Sequence, residues 1–211
     1  MRGESVTSED ADNVYLREYL AQRSWRPQPG GYEAWLRAPT GPTAFERRVA
    51  CVRRYAFGVP NRAALEAIAR YAPIVELGAG TGYWAYLLRN RGVDIVAYDA
   101  APPGQAPNAY KFEPRAWTRV VLGGVEVLDQ YANRTLFLCW PGYQDTFADA
   151  ALARFTGHVL IYVGEQAGGH TANDAFFDRL GRDWAAGEQV AIPQWSGAHD
   201  CLSMFHRRQG L

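Results

Sequence analysis

The order of apolar and polar positions along the chain predicts strands and helices that alternate from residue 74 onward. Short apolar runs rich in β-branched residues indicate buried strands, and segments with helical spacing of apolar residues lie between them. Such alternation is typical of a mainly parallel sheet with helices on both faces. The last two strand patterns have no helix of comparable length between them, which predicts an antiparallel hairpin at the sheet edge. After the strands at 74–77 and 93–98, the predicted elements cover residues 117–122, 125–131, 135–140, 145–155, 158–163, 173–180, 190–193 and 201–206.

The first quarter of the chain has a different pattern, in which an irregular aromatic segment interrupts the helical spacing. A helix is predicted over residues 8–23, and a second begins at Thr43, which has the capping-box spacing with Glu46. A third helix follows Asn61, an effective N-cap residue. The segment 25–42, rich in proline and glycine, is predicted to be a loop that contains Trp25, Tyr32 and Trp35.

These patterns divide the chain into an N-terminal helical extension, residues 1–57, and a main domain, residues 58–211. Aromatic residues in an otherwise polar extension predict that it either folds over a pocket as a lid or forms a contact in a dimer. The sequence leaves this choice open, as it does the choice between a monomer and a homodimer.

The composition narrows the classes of partner. The chain has 211 residues, of which 48% are hydrophobic and 21% charged, and this size suits one globular α/β domain with a short extension. The 22 Lys and Arg residues equal the 22 Asp and Glu residues in number, so no net charge attracts nucleic acid or an anionic membrane. We therefore expect a small-molecule substrate.

The cysteines, the histidines and the N-terminal residues bear on location and metal content. Cys51, Cys139 and Cys201 lie far apart, as expected of free thiols in a reducing cytoplasm. The four histidines show no metal-ligand spacing. The first residues lack the apolar segment of a signal peptide, and no stretch reaches the length of a membrane span. We expect a cytoplasmic protein without a bound metal.

The strongest chemical signal is a glycine-rich turn after the first predicted strand. Gly78, Gly80 and Gly82 alternate with small residues ahead of a helix that begins near Tyr83. The backbone of such a turn can approach a ligand closely, and Asp99 at the end of the next strand can accept hydrogen bonds from ribose hydroxyls. The G-x-G-x-x-G fingerprint of dinucleotide-binding proteins requires a third glycine at position 83, where this chain has Tyr83. The spacing therefore predicts a nucleoside pocket of another kind.

Around this turn the chain resembles the class I, Rossmann-like S-adenosyl-L-methionine (SAM)-dependent methyltransferases. Glu76, followed by the alternating glycines, looks like their first motif, and the likeness to a little-characterised microbial family extends over residues 57–208. Relatives in that family usually have a second proline where this chain has Gly142, and a cysteine where it has His170. The stretches that carry the resemblance are Val59-Pro60-x-x-x-Ala64-Leu65, 75–85, Val96-Ala97-Tyr98-Asp99, Leu138-Cys139-Trp140-Pro141, Tyr162-Val163-Gly164-Glu165 and Ile192-Pro193-Gln194-Trp195.

The resemblance implies SAM as the cofactor and the α/β sheet of these enzymes, mainly parallel with an antiparallel C-terminal edge hairpin. Glu76 is expected to contact the cofactor, directly or through water, and is otherwise a structural brace for the loop. Trp117 either stacks on adenine or belongs to the core, and Cys139 is expected to be a small apolar residue rather than a nucleophile. The implied cofactor-binding residues are Glu76, Gly78, Ala79, Gly80, Gly82, Tyr83, Trp84, Asp99, Ala100, Trp117 and Cys139.

Candidates for catalysis follow the fourth and fifth predicted strands of the parallel sheet, where an open α/β sheet has its crevice. Trp140 and Tyr143 have electron-rich rings that favour a sulfonium cation by face-on contact, unless they are simply packed. Glu165 can orient His170, which can accept a proton from an amine or hydroxyl substrate. The pair His199-Asp200 is a second acid–base candidate, and either histidine is otherwise a surface residue.

Three classes of function stay open at this stage. The first is methylation of a small molecule at oxygen, nitrogen or carbon, in secondary metabolism. This reaction requires positioning of donor and acceptor and exclusion of water, with no covalent enzyme intermediate. The second is attack on the aminocarboxypropyl chain of SAM, which releases methylthioadenosine. The third is a SAM-binding regulator without catalytic activity.

Overall fold

A seven-stranded mixed sheet organises the computed structural model of the protein, which describes residues 12–23 and 44–208. The strands are β1 (Ile74–Leu77), β2 (Ile95–Asp99), β3 (Val121–Leu122), β4 (Thr135–Cys139), β5 (Val159–Gly164), β6 (Trp184–Ala191) and β7 (Cys201–Arg207). Their order across the sheet is β3-β2-β1-β4-β5-β7-β6. Each neighbouring pair from β3 to β5 is parallel, and β7 lies antiparallel between β5 and β6. The predicted α/β fold with an antiparallel C-terminal edge is therefore confirmed.

Helices cover both faces of the sheet. Phe137 of β4 packs in the core beneath the first four helices, whereas its neighbours Leu136 and Leu138 pack beneath the last two. Because successive strand side chains point to opposite faces, a strand buried on both sides reads as a continuous apolar run. None of the helices in the described part of the chain has the length and apolar character needed to cross a membrane. The helices are α1 (Val14–Arg23), α2 (Ala44–Arg54), α3 (Arg62–Ala69), α4 (Tyr83–Arg89), α5 (Phe147–Arg154) and α6 (Asp174–Asp183), with a short 3-10 helix over Val125–Gln130.

The first helix is part of the main core. The side chain of Asn13 is fully buried and donates from Nδ2 to the carbonyl oxygen of Pro60 at 2.8 Å. Its Oδ1 accepts from the Leu16 amide and from the Tyr83 hydroxyl, each at 3.1 Å. The Tyr83 oxygen in turn accepts from the Tyr15 amide at 3.0 Å. Helix α1 is thus joined both to the entry of α3 and to α4.

Several predictions for the N-terminal extension fall outside the described residues. The aromatic loop 25–42 and Thr43 of the capping box belong to this part of the chain, as does the start of the helix expected over 8–23. The lid and the dimer contact therefore both stay predictions.

Two strands differ from their predicted bounds by more than two residues. Strand β6 begins at Trp184 rather than at position 190. The sequence pattern missed its first part because the middle residues are exposed at the sheet edge and show no apolar alternation. Strand β3 comprises only Val121–Leu122 instead of 117–122. Trp117 lies ahead of that strand, where its amide donates to the carbonyl oxygen of Thr81 at 2.9 Å.

Candidate functional site

The loop between β1 and α4 has the tight geometry that its glycines predict. Gly78, Gly80 and Gly82 have φ angles of 74°, 54° and 74°, in the left-handed region that other residues rarely adopt. The turn is closed by a hydrogen bond of 2.8 Å from the Gly82 amide to the carbonyl oxygen of Ala79. A Cβ added at Gly80 would lie 2.9 Å from Cε2 of Phe112, so a larger residue would displace that ring.

Asp99, at the end of β2, is hydrogen-bonded to this loop. Its Oδ2 accepts from the Gly80 amide and its Oδ1 from the Ala101 amide, each at 2.7 Å. The side chain is mostly buried but still reaches a cavity wall. Because each carboxylate oxygen has two lone pairs, both oxygens can accept a further hydrogen bond from a ligand.

Two cavities lie at the carboxyl ends of β1, β2 and β4, which parallel pairing places side by side. The larger has a volume of about 350 Å³ and includes Asp99, Ala100 and Trp140 in its wall. The smaller lies over the glycine loop, where it is lined by Glu76, Ala79, Gly80 and Trp84 among others. The residues that line both, and so mark where the cavities meet, are Phe57, Gly78, Phe112 and Cys139.

Glu76 is a buried carboxylate in the wall of the smaller cavity, with one free oxygen. Its side chain is 1% exposed, and its Oε2 has no hydrogen-bond partner among residues 12–23 and 44–208. Burial, opposed by the charge of Arg89 and the amide of Ala85 and reinforced by the charge of Asp99, raises the pKa of Glu76 to about 8. A buried oxygen without a donor is costly, so this position suits a ligand that brings a proton donor or a positive charge.

Cys139, at the end of β4, is a neutral thiol. Burial, reinforced by the charge of Glu76, raises its pKa well above the ordinary value. A thiol of this kind packs as a small apolar group, and this supports the expectation that Cys139 is not a nucleophile. Nowhere in the described ranges do three or more His, Cys, Asp or Glu side chains come together in a way that would hold a metal ion.

Three predicted cofactor residues lie behind the loop rather than in the wall of either cavity. Tyr83 is fully buried, and the Trp117 ring packs edge-on against it at 4.9 Å between centroids. The Nε1 of Trp117 donates to the carbonyl oxygen of Arg54 at 2.6 Å. A Cβ at Gly82 would lie 2.7 Å from Cγ2 of Val120, so that glycine faces the segment before β3. For Trp117, this packing fits the core alternative better than stacking on adenine.

Trp140 follows β4 and lines the larger cavity. Its φ angle of 51° is unusual for a residue with a side chain. The indole stacks on Phe57 at 5.6 Å between centroids with an interplanar angle of 18°, and Cζ of Arg48 lies 5.3 Å from its centroid. The Nε1 of Trp140 donates to Oδ2 of Asp200 at 3.0 Å.

The other predicted catalytic residues lie outside the walls of these two cavities. Glu165, 4% exposed, accepts from the His199 amide at 2.7 Å through Oε1 and from the His170 amide at 2.6 Å through Oε2. Burial raises the pKa of Glu165, but these amides and the His170 ring outweigh it and leave the pKa below its usual value. Nδ1 of His170 lies 3.2 Å from Oε2 of Glu165, and the His170 side chain is 75% exposed. The His170 ring lies 6.0 Å from the ring of Tyr143, which is also exposed.

Several aromatic wall residues were missed by the sequence analysis. Phe57 lies two residues before Val59, where the first stretch of the resemblance begins, and this position was the only signal for it. The rings at 110 and 112 belong to the long irregular connection between β2 and β3, which has no period to interpret. The missed rings are Phe57, Tyr110, Phe112 and Phe147.

Comparison with solved structures finds distant neighbours that are SAM-dependent methyltransferases. The magnesium protoporphyrin IX methyltransferase from Synechocystis PCC 6803, crystallised with bound SAM, is 11% identical over 98% of this chain and 100% of its own, with a TM-score of 0.48. The TehB-like SAM-dependent methyltransferase from Corynebacterium glutamicum is 18% identical over 72% of this chain and 91% of its own, with a TM-score of 0.46. The N-methyltransferase NodS from Bradyrhizobium japonicum is 16% identical over 70% of this chain and 94% of its own, with a TM-score of 0.44.

Other comparisons give no family assignment. No protein-family model matches the chain, and no curated protein sequence matches it significantly. At the identities and TM-scores found for the solved structures, the neighbours carry no argument about the reaction of this chain. The residues of the site are therefore the basis for its function.

Proposed function

We propose that the protein is a SAM-dependent methyltransferase that acts on a small molecule, at an oxygen, nitrogen or carbon acceptor, in secondary metabolism. One observation carries this proposal: Asp99 is bonded to the Gly80 amide beside two adjoining cavities, and one of these is lined by Glu76, whose buried Oε2 has no hydrogen-bond partner among residues 12–23 and 44–208.

The lining residues suggest how SAM would be held. In the larger cavity, Asp99 offers lone pairs to the ribose hydroxyls of the adenosine part. The smaller cavity has a volume of only about 20 Å³, room for the ammonium end of the methionine part and no more, and the unpaired oxygen of Glu76 suits that group. The sulfonium that joins the two parts would then lie where the cavities meet, beside the rings of Phe57 and Phe112, and aromatic faces favour a cation.

Bound SAM supplies a methyl group on a positively charged sulfur. The protein itself has to place the acceptor atom in line with that methyl and to exclude water. Trp140 and Phe57 form an apolar wall for this purpose. For proton transfer we propose His170, which lies outside both cavity walls and so can serve only an acceptor that extends beyond them; in this role Nε2 takes the proton while Nδ1, 3.2 Å from Oε2 of Glu165, carries the hydrogen.

Product analysis separates this function from two other uses of the same site. Incubation with SAM and a host extract, followed by mass spectrometry, is expected to give S-adenosylhomocysteine. Methylthioadenosine would instead indicate attack on the aminocarboxypropyl chain, an alternative motivated by Gly142 and His170 at the positions where relatives differ. Unchanged SAM under all conditions would indicate a regulator.

The binding of SAM is tested at Asp99. Asp99→Ala is expected to weaken SAM binding at least tenfold, or about 1.5–3 kcal/mol, because the charge-assisted ribose contact is lost. Titration calorimetry measures the affinity. Asp99→Asn keeps the shape of the side chain but turns one of its two amide-accepting oxygens into a donor, so thermal unfolding of both variants is measured to separate loss of charge from loosening of the loop.

Asp94→Ala is the matched control, because Asp94 precedes the opposite end of the same strand and its exposed carboxylate pairs with Arg134. This variant should bind SAM like the wild type. Wild-type affinity in Asp99→Ala, or binding of a nicotinamide dinucleotide in place of SAM, would contradict the proposal.

A further inference from the structure

A second buried carboxylate lies next to the site and has no role in the scheme above. Asp200 directly precedes β7 and is 2% exposed. Its Oδ2 accepts the indole proton of Trp140, whereas Oδ1 has no hydrogen-bond partner within the described ranges. Its backbone carbonyl accepts from Nε2 of Gln194 at 2.8 Å, which holds the main chain in place. A buried carboxyl group with one unpaired oxygen lowers the stability of the fold, so we expect Asp200 to serve a function.

The charged and titratable groups around Asp200 come from four different elements. Burial raises the pKa of the Asp200 carboxyl, and the Trp140 hydrogen bond and the charge of Arg48 oppose this. The charge of Glu165, after β5, raises the pKa further. Asp200 in turn raises the pKa of Tyr15 on α1 and that of Cys139 on β4. Asp200 therefore lies where the N-terminal helices meet the carboxyl end of the sheet.

Trp140 is the residue that Asp200 can control. The Trp140 amide donates to the carbonyl oxygen of Val163 at 2.7 Å, which ties the backbone to β5 but leaves the side-chain angles free. Stacking on Phe57 sets the plane of the indole but not which edge of the ring faces Asp200. The bond from Nε1 to Asp200 has a defined direction, and it selects one orientation of the ring.

We propose that Asp200 is a positioning residue that holds the Trp140 indole against Phe57 and so fixes the aromatic wall where the two cavities meet. This inference rests on the proposed function, because the wall matters only if a sulfonium and its acceptor meet there. A carboxylate that accepts the indole proton also makes the ring more electron-rich, which strengthens its attraction for a cation.

The test compares Asp200→Asn, Asp200→Ala, Trp140→Phe and the double variant Asp200→Ala/Trp140→Phe. The indole proton of Trp140 is assigned in a ¹H–¹⁵N spectrum by its loss in Trp140→Phe. We expect this resonance to shift upfield in Asp200→Ala and to stay near its wild-type position in Asp200→Asn, whose amide oxygen still accepts the bond.

Enzyme activity should also depend on the hydrogen bond between Asp200 and Trp140. We expect the rate of S-adenosylhomocysteine formation from SAM in the host extract to fall about tenfold in Asp200→Ala and in Trp140→Phe, with the affinity for SAM changed less than threefold in both. The double variant should be as active as Trp140→Phe, because each single change already removes the same hydrogen bond between Asp200 and Trp140. Asp200→Asn should stay within threefold of the wild type. Asp129→Ala, which breaks an exposed pair with Arg154, is the control and should change neither readout.

Three results would overturn the inference: an unchanged indole resonance in Asp200→Ala, fully additive losses in the double variant, or an Asp200→Asn as inactive as Asp200→Ala. The last would mean that the charge acts directly on the substrate. If Asp200→Ala does not fold, Trp140→Phe still tests the inference, because wild-type activity in that variant would overturn it. Failure of the wild type to bind SAM would count against the proposed function alone, since the indole resonance reports the Asp200–Trp140 bond without any ligand.

Discussion

At the scale of single residues, Glu76 couples the protonation of the site to the stability of the fold. Its pKa is raised from an ordinary 4.5 to about 8, so the folded protein favours the protonated form. The stability associated with this group is therefore complete below pH 4.5 and is lost as the pH rises through 8. Glu76→Gln should remove this dependence, on the order of 5 kcal/mol between the two limits. Thermal unfolding across this pH range measures the difference in slope.

The control for this prediction is Glu66→Gln, since Glu66 is an exposed residue on α3 that pairs with Arg62. It should keep the wild-type pH dependence. A Glu76→Gln variant that also keeps this dependence would show that Glu76 is ionised in the folded protein at neutral pH.

Gly80 supplies a second test at the residue scale. Gly80→Ala and Gly92→Ala both place a side chain on a positive φ, at a cost of about 1–2 kcal/mol each. Only at Gly80 would the new Cβ also press on Phe112, whereas nothing lies within 4 Å of the Cβ position at Gly92. We expect Gly80→Ala to lose at least as much stability as Gly92→Ala, and only Gly80→Ala to lose SAM affinity, by tenfold or more. Equal affinities in calorimetry would remove the loop from the proposed site.

At the scale of elements, the entry of α3 combines a helix cap with a contact between elements. Asn61 accepts from the Ala64 amide at 2.9 Å and donates from Nδ2 to the carbonyl oxygen of Ala191, at the end of β6, at 3.0 Å. Asn61→Ala should lower the free energy of unfolding by about 1–2 kcal/mol, and Asn61→Asp should also lower it, because aspartate keeps the cap but turns an acceptor oxygen toward the Ala191 carbonyl. Urea unfolding gives both values.

Asn173 is the matched residue, since it caps α6 through the Phe176 amide at 3.0 Å and no second bond from its side chain is known in the described ranges. Asn173→Ala should therefore cost less than Asn61→Ala. The opposite order would show that the Asn61 bond to β6 contributes nothing to stability.

The edge of the sheet shows where element-scale prediction from sequence ends. The antiparallel hairpin was predicted because no helix separates the last two strands. Which of the two strands lies inside was not predicted: β7 pairs with β5, and β6 lies at the edge. The exposed middle of β6 has no periodic signal, because only burial on one face creates such a signal.

At the scale of the whole molecule, α1 and the sheet share one core. Tyr15 is fully buried in the cluster that contains Phe137 and Ile161 of the sheet, and its hydroxyl accepts from Nε1 of Trp195 at 2.9 Å. Tyr15→Ala should therefore cost about 3–5 kcal/mol and lower the melting temperature by about 10 °C. Unfolding should remain a single transition in calorimetry.

Arg17→Ala, on the exposed side of the same helix, serves as the control and should change the melting temperature little. If Tyr15→Ala melts like the wild type, or if a separate early transition appears, α1 belongs to an independent unit. The segments on either side of the boundary predicted at residue 57 would then unfold independently.

The sequence by itself determined the sheet class, the glycine loop and the position of Asp99. These depend on local properties: an apolar period along each strand, and φ angles that only glycine adopts readily at Gly78, Gly80 and Gly82. Only the tertiary structure decided that Trp117 packs behind the loop, that Phe57 and Phe112 line the cavities, and that Asp200 holds Trp140. The reason is physical, because these contacts join side chains on separate loops and strands, and no local pattern records which distant residues folding brings together.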